Sequence, residues 1–385
     1  MQTYARQPVA FVRGEGVWLY DENGEKYLDA VAGVAVSGLG HGHPVLAKAL
    51  CEQAATLIHT SNLYRIPKQE QLADRLCALS GMDKAFFCNS GAEANEAAIK
   101  LARLHGHNRG IDNPAIVVME KSFHGRTLAT LSATGNRKVQ AGFEPLVGGF
   151  VRVPFGDADA VAKLAEHHNN IVAVLVEPYQ GEGGVQIPET GYLDKLRAIC
   201  DANEWLLMLD EVQTGIGRTG KWFAFQHSNS LPDVMTLAKG LGSGVPVGAC
   251  LARGVAAEVF TYGKHGSTFG GNPFACTAAL ATLDVMAADH LPGNAVEIGN
   301  FIMDTLRKEL GSVPGVKEIR GQGLIIGVEL DRPCGDLVKM ALAEKLLINV
   351  TSDNVVRLIP PLVMNREEAA LLTDKLTALI WAFLN

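Results

Sequence analysis

Residues 205–211 read WLLMLDE, five apolar side chains in a row followed by two carboxylates. An apolar run this short, without polar alternation, suits a strand buried on both faces, as in a parallel sheet covered by helices. The pattern recurs in AIVVME (115–120), IVAVLVEP (171–178) and VMTLAK (234–239). On the N-terminal side, QEQLADRLCALSG (69–81) and AEANEAAIKLARLHG (92–106) carry helical spacing around a strand-like KAFFCN (84–89). The alternation predicts an α/β fold with a mostly parallel central sheet.

Further out the patterns change. VWLYDENGEKYLDA (17–30) alternates around Asn23-Gly24, as a β-hairpin does. The glycine-rich AGVAVSGLGHGHP (32–44) reads as a loop before a helix over 45–58. After about residue 275 come two helical stretches (274–290 and 298–310), a glycine-containing strand pair (315–330), then LVKMALAEKLLINV (337–350), VVRLIPPL (355–362) and a last helix over 366–385. This tail predicts a smaller α+β domain. The division expected is an N-terminal segment, 1–45, packing with the small domain; a large domain, 46–275; and a C-terminal small domain, 276–385.

The 385 residues are 48% hydrophobic and 19% charged, enough for a sizeable core and unlike a disordered chain. A net charge of −7 argues against non-specific nucleic-acid binding. No apolar run reaches the roughly 18 residues of a membrane span. The opening MQTYARQPVAFVRGEG lacks an apolar stretch behind a basic start, so no secretory signal is expected. Seven scattered cysteines without CxxC or Cys/His spacing predict reduced thiols, a cytoplasmic setting and no metal site.

Candidate chemistry falls at strand-to-loop junctions. Ser90-Gly91-Ala92 opens a helix, where free backbone N–H groups and the helix dipole suit a phosphate; with Glu93 it also reads as a simple capping box. Asp210 ends its strand, where a carboxylate could pair with a protonated ring nitrogen, and the glycine-rich TGIGRTG that follows predicts a close-packed loop. Lys239 follows another strand, where burial would lower its pKa toward a nucleophilic amine able to form Schiff bases; a surface lysine is the plainer alternative. Phe123 could stack on a flat heterocycle and Arg126 could fork onto a carboxylate, while His124 reads as structural. Ser267 and Thr268 offer hydroxyls, as phosphate ligands or as turn formers. Arg357, inside an apolar run, requires an anionic partner.

With these residues stand NSGAEANEAAIKLAR (89–103), SFHGRT (122–127), VEPYQGEGG (176–184), LDEVQTGIGRTG (209–220), TLAKGLGSGVPVGA (236–249), HGSTFGGNP (265–273) and RGQGLIIGVEL (320–330). Over nearly its whole length the chain resembles the class III (ornithine-type) aminotransferases of pyridoxal 5'-phosphate (PLP) fold type I. Within them it is most similar to the acetylornithine branch of arginine biosynthesis. The resemblance implies that 46–275 binds PLP, with Lys239 as the Schiff-base lysine and proton shuttle. It implies Asp210 on the pyridine nitrogen, Gln213 on the phenolic oxygen, and Phe123 and Val212 on opposite ring faces. Ser90, Gly91 and Ala92 would hold the phosphate, with Thr268 contributed across a homodimer. Arg126, with Ser267 nearby, would grip the donor's α-carboxylate. Arg357 would bind 2-oxoglutarate, neutralised by Glu182 when the donor's δ-amino arm occupies the site.

Where ornithine aminotransferases place a tyrosine that reads the donor's free α-amino group, this chain has Val34. An apolar side chain there favours an acylated nitrogen over an ammonium. The reaction expected is transamination of N2-acetyl-L-ornithine with 2-oxoglutarate, giving N-acetyl-L-glutamate 5-semialdehyde and L-glutamate. The alternatives are succinylornithine, N-succinyl-diaminopimelate, ornithine or 4-aminobutyrate as donor. Partners would then be small molecules, not nucleic acid or membrane.

Overall fold

The computed structural model describes residues 1–385. The N-terminal strands β1 (Phe11–Glu15), β2 (Trp18–Asp21) and β3 (Lys26–Asp29) form an antiparallel sheet whose β2–β3 turn holds Gly24 at φ +81. Seven strands make the central sheet: β4 (Lys84–Cys88), β5 (Ala115–Met119), β6 (Phe150–Val153), β7 (Ile171–Val176), β8 (Leu206–Asp210), β9 (Val234–Leu237) and β10 (Gly248–Ala252). Their order is β4-β10-β9-β8-β7-β5-β6, parallel except that β10 runs against both neighbours.

The apolar runs are buried on both faces as their composition demands. Along β5, β7 and β8 every residue is buried, and along β5 and β8 successive apolar side chains alternate between two clusters, with Val117 and Leu207 in one and Val118 and Met208 in the other. Strands β6 and β10 were not anticipated; β10, GACLA, carries only small side chains apart from Leu251.

The small sheet comprises β11 (Val316–Gln322), β12 (Ile325–Leu330), β14 (Asn349–Thr351) and β15 (Val355–Leu358), antiparallel in the order β11-β12-β15-β14. Helices Leu291–Leu310 and Arg366–Leu384 pack on each other beside it, the second opened by a capping box between Asn365 and Glu368. Strand β13 (Leu346–Leu347) leaves this region to pair in parallel with β3, tying the N-terminal sheet to the C-terminal part. The helix Pro273–Ala288 runs across the boundary expected at 275/276 and packs on helices Pro44–Thr56 and Pro67–Ser80. No single helix is long and apolar enough to cross a membrane.

Candidate active site

A cavity of about 420 Å³ opens at the C-terminal ends of the parallel strands, where an open α/β sheet presents its ligand crevice. Ser90, Gly91 and Ala92 line one end, at the start of helix Gly91–Asn108. Ser90 caps that helix by accepting from Glu93 N–H at 3.2 Å, and the Glu93 carboxylate accepts from Asn89 N–H at 2.6 Å. The Ser90 cap is therefore present, but the reciprocal half of a capping box is not, because Glu93 reaches the N–H of Asn89 rather than that of Ser90. The cap leaves the N–H groups of Gly91 and Ala92, which have no helical carbonyl to donate to, at the positive end of the dipole. A Cβ on residue 91 would come within 2.7 Å of Val212, so only glycine lets the helix start meet that side chain.

Asp210 ends β8 and is 4% exposed. Its Oδ2 accepts from Asn95 Nδ2 and faces His124 Nδ1, both at 2.8 Å, and its Oδ1 accepts from Val212 N–H at 3.0 Å. Asn95 is in turn held by the Thr236 hydroxyl, which donates to its Oδ1 at 2.7 Å. The carboxylate is thus braced by several donors while lining the cavity. The neighbouring Glu211 turns away: it accepts from the Thr214 hydroxyl and from the N–H groups of Ala224 and Phe225, closing the loop beyond β8. Burial raises its carboxyl to about 7, against these hydrogen bonds.

Lys239 lies two residues beyond β9 with φ +44, a left-handed conformation costly for any residue but glycine and typical of functional sites. Burial lowers its pKa, opposed by the carboxylates of Glu182, Asp210 and Glu177. Glu177, immediately after β7, accepts from Phe123 N–H at 2.8 Å; burial, then the nearby Asp210, pushes its carboxyl well above the usual range. Phe123 and Val212 both line the cavity. Arg126 is exposed at its mouth, 5.8 Å from the Phe123 ring centre, and also borders a second, larger groove.

Arg357 lies behind the cavity wall, its side chain 1% exposed. Its Nη1 donates to Glu182 Oε1 at 2.6 Å and to Gln213 Oε1 at 3.3 Å, and its Nε donates to Asn349 Oδ1 at 3.1 Å. Burial alone would raise the Glu182 carboxyl; the adjacent Arg357 outweighs it and holds the group below its ordinary value. The anionic partner that Arg357 requires is therefore in place, and Gln213 is engaged with the same guanidinium.

Three expected residues stand elsewhere. Ser267 and Thr268 line a neighbouring groove with Phe86 and Glu93; Ser267 reaches the main cavity only through Asn89, whose Nδ2 donates to it at 3.4 Å, and Thr268 is exposed. Val34 packs beside the buried Val185, Ile325 and Ile359, while Val36 lines the cavity. Asn95, Glu177 and Asn349 escaped the sequence reading. Asn95 had a signal, a polar residue among the buried positions Ala94, Ala98 and Ala102 of its helix. Glu177 had one too, as a carboxylate closing an apolar strand. Asn349 had none, because its role depends on lying opposite Arg357 in the sheet.

The donors and acceptors fit PLP: a helix start for its phosphate, a braced carboxylate for its ring nitrogen and an amine at the floor. The Aminotransferase class-III family model matches residues 2–380. An acetylornithine aminotransferase from Nitrosomonas europaea is 65% identical, the alignment covering 100% of this chain and 98% of that one. The solved ornithine aminotransferase of Toxoplasma gondii superposes with a TM-score of 0.96 at 36% identity, over 100% of this chain and 92% of that chain. The N-acetylornithine aminotransferase of Stenotrophomonas maltophilia gives a TM-score of 0.87 at 35% identity, over 100% and 98%.

Proposed function

The chain belongs to the class III aminotransferases, PLP-dependent enzymes, and we infer that it moves the δ-amino group of N2-acetyl-L-ornithine to 2-oxoglutarate. The products are N-acetyl-L-glutamate 5-semialdehyde and L-glutamate. One observation carries the reading: a fully buried arginine, Arg357, is masked by Glu182 beside a cavity that holds Lys239 and Asp210. Such a pocket accepts an uncharged methylene arm while the pair is closed and a carboxylate once Glu182 moves aside.

PLP, when bound, supplies the electron sink that allows the amino group to change hands. The residue roles are our proposal. Lys239 Nζ, made less basic by burial, takes and returns the proton at the carbon bearing the transferred nitrogen. Asp210, held by Asn95 and His124, faces the ring nitrogen. Gly91 and Ala92 offer N–H groups to the phosphate, and Phe123 and Val212 bound the ring. Arg126 grips the donor's α-carboxylate. The apolar N-terminal loop, contributing Val36 to the wall and Val34 behind it, suits an acylated nitrogen. Ornithine and acetylornithine enzymes share this fold, so overall shape does not separate them; the apolar character of that wall supports the acylated donor.

We also propose a cytoplasmic homodimer divided near 1–45, 46–275 and 276–385. Thr268 is exposed next to Phe269 at 61% and Leu63 at 86% exposure, and Asn62 bonds to the backbone of Ser267 and Gly270. An apolar patch bearing a phosphate-binding hydroxyl suits a second copy that completes the site. The deciding experiment compares kcat/KM for N-acetylornithine, N-succinylornithine, ornithine and 4-aminobutyrate with 2-oxoglutarate. The acylated ornithines should lead; a higher value for free ornithine overturns the donor assignment.

A further inference from the structure

The carboxylate that masks Arg357 sits on a loop leaving the central sheet, yet the small sheet holds that loop. Residues 180–186 close at the neck through Gln180 and Gln186, whose N–H and C=O groups bond reciprocally at 3.0 and 2.9 Å. Beyond the neck the carbonyls are taken from outside. Those of Gly184 and Val185 accept from Arg320 Nη2 and Nε at 2.6 and 2.8 Å. That of Glu182 accepts from the Thr351 and Ser352 hydroxyls at 2.5 and 3.3 Å.

Arg320, in β11, is 8% exposed and is itself fixed by Glu318 and Glu329 at 2.6 and 2.7 Å. Thr351 ends β14, the strand whose Asn349 holds Arg357. Both members of the ion pair therefore hang on the same four strands. The loop is also seated closely against them, since a Cβ on Gly327 of β12 would come within 3.0 Å of the Val185 side chain.

We infer that Arg320 and Thr351 are positioning residues for substrate selection: they make the Glu182 loop travel with the small sheet, so that the ion pair opens only by rotation of the Glu182 side chain. Glu182 is 38% exposed and has solvent to turn into, whereas Arg357 at 1% has none. A loop free to drift would uncover Arg357 at the wrong time and admit carboxylates during the donor half-reaction. The inference rests on the donor and acceptor assignment above.

The test uses the PLP-loaded full chain with Thr351→Val, near in shape and lacking the donor, and Arg320→Lys, which keeps the charge but not the paired donation. Each is made alone and in a Glu182→Ala background. Inhibition by glutarate, a dicarboxylate without a reactive carbonyl, reports how available Arg357 is. Loss of one hydrogen bond predicts a glutarate Ki about 2–10-fold lower and a donor KM raised by a similar factor, with kcat nearly unchanged. In the Glu182→Ala background neither substitution should move Ki further. An unchanged Ki in the Glu182-containing variants, or an equal drop with and without Glu182, overturns the inference. A parent enzyme that fails to turn over N-acetylornithine would instead overturn the donor assignment, which separates the two failures.

Discussion

At the ring end of the cavity, Asp210 and Lys239 come from neighbouring strands of one sheet; at the substrate end, Glu182 and Arg357 are 175 residues apart and arise from different sheets. The first arrangement follows from strand register alone, because Asp210 pairs with Thr236 and Lys239 lies three residues further on. The second needs the small sheet to be docked and the loop at 180–186 to be tied to it. Chemistry that never varies can be built on one rigid sheet edge. On the roles proposed above, selection between two substrates uses a contact that can open, and such a contact is made where separate parts of the fold meet.

The largest effect should come from the ring end. Lys239→Ala should cost about 10⁴-fold or more in kcat, since both the amine and its proton transfer disappear. Far-UV circular dichroism should stay unchanged, as residue 239 already lies outside the strand. A variant retaining a tenth of the rate would remove the lysine from the centre of the chemistry.

A smaller loss is expected at the substrate end. Arg126→Ala removes a charged contact worth about 1.5–3 kcal/mol, or roughly 10–150-fold, and this should appear in the donor's KM rather than in kcat. A loss confined to 2-oxoglutarate would mean that Arg126 and Arg357 have exchanged roles.

The smallest effect concerns the scaffold under the ring end. Glu211 is raised to about 7 by burial, so the folded state binds its proton more tightly than the unfolded chain does. Its contribution is therefore complete below the ordinary carboxylate pKa of about 4.3 and fades as pH climbs through 7. Glu211→Gln cannot ionise, so its Tm should fall less steeply than the parent's between pH 5 and 7. Parallel Tm curves for the two proteins would show that Glu211 does not carry this slope.

The central sheet was legible because a strand buried on both faces must be largely apolar: β5 and β7 are so throughout, and β8 and β9 depart from it only at Asp210 and Thr236. Strand β10 escaped because GACLA fits a loop as readily as an interior strand. The sequence by itself also determined that Arg357 needed an anion, since a guanidinium inside VVRLIPPL cannot be buried alone. Resemblance to known motifs proposed Glu182 as that anion, but only the tertiary structure decided the geometry of the pair, and that Gln213 and Asn349 share it. It likewise put Val36 rather than Val34 on the cavity wall and left Thr268 outside its own chain's cavity. The division has a physical cause. Burial acts on each residue through its own solvation and so leaves a mark in composition, whereas a hydrogen bond between distant segments depends on how two sheets dock, which no local pattern records.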